Sequence, residues 1–278
     1  MRVIALGGLL MPLLHGFRFV QTAAVVIAAA VTGTIQPVNR VIWAALTAAF
    51  ITIGANSIND YFDYAIDRIN KPNRPIPAGI VSRREAFIFS ITAYVAGWIS
   101  GWMLGYDMFI VAFVIGILLV LYSWKLKRTV ILGNLAVSIA TAVAFVFGGM
   151  AVGRPEATIF PASFAFFFHF GREVLKDLQD VEGDRMHSAR TFAVRYGRRA
   201  SLVLITVTFI LLLVWTIIPY ILHVYGHIYL LIILLGIYPV IIFVLYGSWK
   251  HQKSSDLGFL SNLLKADMLI GLLAIFFG

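Results

Sequence analysis

NSINDYFDYAIDRINKPNRPIPAG, residues 56–79, decides how the rest of this 278-residue chain is read. Asn56, Asn59, Asp60, Asp63 and Asp67 recur at helical spacing, which places their side chains within roughly a third of a helix circumference. One helix face therefore carries three carboxylates and two amides. The apolar run before it reads as a membrane span, and the loop after it carries Arg68, Lys71 and Arg74. The pattern returns once: Asp177, Asp180 and Asp184 repeat Asp60, Asp63 and Asp67 at a constant offset of 117 residues, with Glu173 at the place of Asn56.

Composition sets the environment of these two segments. Hydrophobic residues make up 60% of the chain and charged residues only 13%, against about a quarter charged in soluble domains. The expected fold class is an all-α polytopic membrane protein of one domain. There is no cysteine, which excludes thiol catalysis and cysteine-ligated metal centres. The net charge of +9 sits in short loops, where an anionic lipid surface or the positive-inside bias accounts for it, so no nucleic-acid partner is expected. Nothing in the chain calls for an obligate protein partner.

At about 20 apolar residues per span, hydropathy predicts nine helices, near 14–34, 41–58, 85–104, 108–124, 129–149, 157–175, 200–219, 227–248 and 258–277. The second and sixth are expected to run on past the membrane edge into the acidic segments. Loops after even-numbered spans are rich in Lys and Arg, whereas the intervening loops hold only Arg40 and Arg154. The positive-inside rule then puts both acidic segments and the N-terminus in the cytoplasm and the C-terminus outside. The two motif helices should run in the same direction, related by a pseudo-two-fold axis along the membrane normal.

Eight of the thirteen acidic residues lie in these two segments, at helix C-termini where the macrodipole already supplies about half a negative charge. Such clusters repel themselves unless something cationic sits among them. Oxygen donors without His or Cys suit Mg2+ or Ca2+ better than zinc. Mg2+ takes only one or two carboxylates and completes its shell with water and phosphate, so two acidic half-sites with Arg and Lys around them form a cradle for a metal diphosphate. The plainer reading, solvated helix ends paired with neighbouring Lys and Arg, fits a single such motif better than two copies at matched spacing.

On these residues the chain resembles the UbiA-type superfamily of intramembrane prenyltransferases, whose aspartate-rich motifs are N-D-x-x-D-x-x-x-D and D-x-x-D-x-x-x-D. Asn59, Asp60, Asp63 and Asp67 fit the first motif, and Asp177, Asp180 and Asp184 the second. NKPNRPIPAG and the nine-helix count are also similar to the superfamily. NDYFDYAIDRINKPNRPIPAG, YSWKLKRT, AFVFGG and REVLKDLQDVEGDR look most like its archaeal members that make the second ether bond of membrane lipids.

The resemblance implies that Mg2+ is the cofactor and that an isoprenyl diphosphate and a lipid-phosphate acceptor are the substrates. Asn59, Asp60, Asp63, Asp67, Asp177, Asp180 and Asp184 would be catalytic, and all of them except Asp60 metal ligands. Asn56, Arg68, Arg74, Tyr122, Lys125, Lys127, Arg128 and Arg18 would bind substrate. Family members place a Tyr and a Lys in the loop after the fourth span; Tyr122 fits the first, and Lys125 and Lys127 both stand for the second. The first span departs from an Arg-Pro-x-Asn-like signature, since Arg18 is followed by Phe19 and Gln21. Two other readings are an aromatic acceptor and, from a different class, a divalent-cation transporter.

Four polar residues inside the spans stand apart from the motifs. Asn134 and His169 are expected to hydrogen-bond between helices. Lys265 and Asp267 lie within the last span, a functional position by default, and two residues apart they do not face each other.

Overall fold

Apolar runs of helical length, broken by Gly- and Pro-containing turns, produce helices that pack lengthwise. The computed structural model describes residues 19–70, 72–186, 188–251 and 253–278. Its long helices are α1 (Phe19–Val31), α2 (Val38–Asn70), α3 (Arg83–Trp102), α4 (Tyr106–Trp124), α5 (Leu132–Ala151) and α6 (Ile159–Gln179). After the short α7 (Val181–Met186) come α8 (Phe192–Ile221), α9 (His227–Lys250) and α10 (Ser254–Phe277). No strand occurs among the described residues.

The expected count of nine spans is met only roughly. Among the described residues six helices (α2, α4, α5, α8, α9 and α10) are long and apolar enough to cross a membrane by length and composition. The others occupy the expected places but are less apolar or shorter: α3 interleaves Ser, Thr, Tyr and Gly, α6 ends in REVLKDLQ, and α1 has thirteen described residues. Arg18, expected at the pocket edge, lies outside the described residues.

Small residues bring the helices together where large ones would hold them apart. Gly54 of α2 lies against the Tyr94 ring of α3, Gly97 of α3 lies against Ile51 of α2, and the buried Ser90 hydroxyl donates to Gly54 O at 2.8 Å. Ser82 starts α3 with a capping box: its hydroxyl accepts the Glu85 N–H, and Glu85 accepts the Ser82 N–H. Gly197 in α8 has φ 79°, a conformation glycine adopts without strain, and it turns the lead-in 192–196 into the spanning stretch. At the end of the bundle away from the acidic segments, Arg40 Nε donates to Ala151 O and Arg154 Nη1 to Thr32 O, both at 2.9 Å, which satisfies carbonyls at helix ends.

Helix α5 is the central partition. It packs against α1, α4 and α6, while α2 to α4 group on one side and α6 with α8 to α10 on the other. The tightest approach is at Gly148, where an added Cβ would lie 2.3 Å from Val25 O and 2.8 Å from Ala28 Cβ. A backbone carbonyl cannot move aside cheaply. Gly148→Ala is therefore expected to destabilise the bundle by about 1–3 kcal/mol, read as a lower melting temperature in detergent; an unchanged melt would show that α1 does not pack here.

Candidate active site

Helix α2 continues without a break from the apolar region through Asn56, Asn59, Asp63 and Asp67, as its helical spacing requires. These four residues line one wall of a cavity of about 680 Å3. Glu173, Lys176, Asp177, Asp180, Glu182 and Asp184 line the facing wall, so segments more than a hundred residues apart share one volume. Both motif helices reach it by their C-terminal ends, as expected of helices running in the same direction.

The second motif differs from the first in backbone. A single helical face was the expectation for Asp177, Asp180 and Asp184, but α6 ends at Gln179, Asp180 occupies its C-cap, and Asp184 lies on the separate α7. Asp184 is instead fixed by accepting a hydrogen bond from the Thr191 hydroxyl at 3.1 Å.

The carboxylates on α2 already face cations. The Lys127 ammonium donates to Asp63 and, at 3.2 Å, to Asn59 Oδ1, while Asn59 Nδ2 donates to Asp63 Oδ2 at 2.9 Å. Arg74 bridges Asp67 at 2.7 Å and Asp60 at 3.1 Å. Burial pushes the Lys127 ammonium below the ordinary lysine range, opposed by the adjacent Asp63 carboxylate. On the other wall Asn134 of α5 donates to Asp177 at 2.8 Å, the interhelical role expected of it. Glu173 is buried between Arg172 at 3.0 Å and Lys176 at 3.0 Å, and Arg172 Nε reaches Ser261 O, tying α6 to α10.

Of the other expected residues, Tyr122, Lys127, Arg128 and Arg74 line the cavity. Three do not. Lys125 is exposed, because α4 stops at Trp124 and the tight 3-10 turn Leu126–Arg128 turns Lys127 inward instead and brings Arg128, itself exposed, to the cavity mouth. Arg68 is also exposed, with its guanidinium 5.8 Å from the Tyr64 ring centroid on the far side of α2. Asp60, about 100° round the helix from Asn59, flanks the cavity and reaches it only through Arg74.

Lys176, Glu173, Glu182 and Ser254 are lining residues that sequence reading does not assign. Lys176 counts there only toward loop charge, although its place beside Asp177 was the available signal. Beyond the polar mouth the cavity continues between Thr47, Ile51, Ile115, Val137, Ala144 and Phe147, an apolar channel. Along α2 it extends from Asn59 to Thr47, about 18 Å.

The donor set fits magnesium. Every candidate ligand is an oxygen, and a cationic ammonium already stands against Asp63 and Asn59. Among the described residues no three carboxylates converge on one point; Mg2+ needs no such cage, since substrate phosphate and water complete its shell.

Among the described residues the bundle is all-helical, and its main cavity, acidic and basic at the mouth and apolar in its depth, has the form of an enzyme site for an amphiphilic anion. Residues 19–265 match the UbiA prenyltransferase family, and the chain belongs to it. It is a prenyltransferase, and the transporter reading falls. The digeranylgeranylglyceryl phosphate synthase of Methanopyrus kandleri (strain AV19) is 36% identical over 253 residues, covering 90% of this chain and 91% of that protein. The synthase of Methanothermobacter thermautotrophicus is 33% identical over 234 residues, covering 83% and 82%. A solved structure of digeranylgeranylglyceryl phosphate synthase superimposes with a TM-score of 0.80 at 27% identity, covering 98% of this chain and 97% of the other. A UbiA homologue from Archaeoglobus fulgidus bound to GPP and Mg2+ shares the fold, with a TM-score of 0.70 at 18% identity and coverage of 95% and 99%.

Proposed function

We propose that this prenyltransferase transfers a geranylgeranyl group from geranylgeranyl diphosphate to the free hydroxyl of geranylgeranylglyceryl phosphate, forming an ether bond and releasing diphosphate. The observation that carries this reading is the single cavity that joins both acidic segments and Lys127 to an apolar channel of isoprenoid dimensions. Its volume lies within the range of pockets that enclose most of a ligand, and the full-length likeness to the archaeal synthases supports the ether-lipid acceptor.

In this reading Asn59, Asp63 and Asp67 on one wall and Asp177, Asp180 and Asp184 on the other hold Mg2+ against the diphosphate. Bound there, the metal supplies Lewis-acid neutralisation of the leaving group. Lys127, Arg128 and Arg74 donate to phosphate oxygens as negative charge develops. The allylic C–O bond breaks with its electron pair leaving on diphosphate, and the channel walls keep water from the allylic cation. The acceptor oxygen then forms the new C–O bond, and its proton passes to a motif carboxylate. The basic loops support a cytoplasmic mouth, with the N-terminus inside and the C-terminus outside, because α10 starts at the cavity with Ser254 and runs away from it.

The test is purified protein in detergent with Mg2+ and labelled geranylgeranyl diphosphate, offered geranylgeranylglyceryl phosphate or 4-hydroxybenzoate. The ether product is expected from the first acceptor; prenylation of the benzoate alone would overturn the ether-lipid assignment.

A further inference from the structure

The proposed reaction makes no use of Asp267. It lies on α10 thirteen residues beyond Ser254, about 20 Å along the helix from the mouth of the main cavity. Lys265 points elsewhere and is exposed, as their spacing predicts. Asp267 is 2% exposed, and neither carboxyl oxygen has a hydrogen-bond partner. A carboxyl without a partner inside a membrane bundle is costly.

Asp267 borders a second cavity, of about 80 Å3 and only partly enclosed, whose lining residues are all buried or half-buried. Its walls include Phe145, Phe164, Phe168, Leu212, Ile233 and Ile237, with His169 also at the wall. Thr141 of α5 borders both cavities, so this helix separates the second from the diphosphate channel. Two further hydroxyls of the wall are already satisfied: that of Thr216 donates to Leu213 O and lies 3.0 Å from the Tyr238 hydroxyl, and that of Tyr229 donates to the Thr216 backbone O. Ile233 and Ile237 belong to a π-helical turn of α9, Ile233–Ile237, an interruption that recurs at functional sites. An orphaned carboxyl, a cavity and a π-turn thus meet at one place outside the reaction site.

We infer that this cavity is a second lipid site, taking the hydroxyl end of a single-chain lipid alcohol that donates to Asp267. The walls demand an apolar ligand and the carboxyl demands a donor. An ammonium would bring three N–H donors to one acceptor group and leave donors unsatisfied against apolar walls, whereas a hydroxyl brings one. An apolar cavity of 150 Å3 accommodates benzene, so this smaller one takes the hydroxyl and its first carbons, and the remaining chain leaves through the opening.

The experiment uses the full chain in vesicles, photolabelled with a diazirine-bearing C16 alcohol and, in parallel, with its methyl ether. Labelled peptides are mapped by mass spectrometry. The alcohol is expected to label segments of α6, α9 and α10 around Asp267 at least tenfold more than the ether, and Asp267→Leu should abolish that preference while Asp267→Asn keeps part of it. Equal labelling by alcohol and ether, or labelling unchanged in a folded Asp267→Leu variant, would overturn the proposal and leave an adventitious apolar slot. The comparison of alcohol with ether in the unaltered protein decides the matter even if the Leu variant does not fold. Neither readout depends on prenyl transfer.

Discussion

Replacing Asp63 with Ala is expected to lower turnover on the order of 10³-fold, the scale seen when a preorganised charge-stabilising group is removed from a reaction centre, and to leave the bundle folded. Asp63 is at the geometric middle of the α2 wall: one oxygen takes the Lys127 ammonium and the other the Asn59 amide. Removing it deletes a proposed metal ligand and also releases Lys127, so the loss should exceed that of a single contact. No apolar core depends on it, since Asp63 lines the cavity rather than a helix interface. The measurement is the initial rate at saturating Mg2+ with labelled geranylgeranyl diphosphate, together with a melting curve. Near-normal turnover in Asp63→Ala, or in Asp180→Ala on the opposite wall, would remove that residue from the mechanism.

Lys127→Met has two effects of opposite sign. The Lys127 ammonium sits on Asp63 and Asn59, so a divalent ion that uses those oxygens competes with it. The Met variant should therefore bind Mn2+, a spectroscopic substitute for Mg2+, about tenfold more tightly than the unaltered protein, within the usual range of coupling between two ligands. Once diphosphate is present the displaced ammonium has a phosphate oxygen to bind, and its absence should lower turnover about 10²-fold. Electron paramagnetic resonance titration of Mn2+ reads the first effect and steady-state kinetics the second. Unchanged Mn2+ affinity would mean that lysine and metal do not share these oxygens.

Several features were legible before any coordinates. Hydropathy alone locates the helices, because a membrane span must satisfy every backbone group internally and so needs a continuous helix of apolar residues. The acidic face of α2 follows from spacing because nothing between Asn56 and Asp67 interrupts the helix. Prediction fails where the backbone turns. Asp180 caps α6 and Asp184 falls on the separate α7, and Lys125 and Lys127, alike as sequence, part company at a 3-10 turn that faces one outward and the other into the cavity.

The sequence by itself determined the membrane environment, the helix order, the donor chemistry and the two acidic segments, since these depend on composition and on periodicities within single elements. Only the tertiary structure decided that Lys127 and Arg74 serve as counter-cations on one wall, that Asn134 and Lys176 join the other, and that Asp267 lies alone in a separate cavity. The Lys127–Asp63 and Asn134–Asp177 contacts join residues 64 and 43 positions apart, and such distances are set by how Gly148 and the other small residues let helices approach. No periodicity within one helix encodes them.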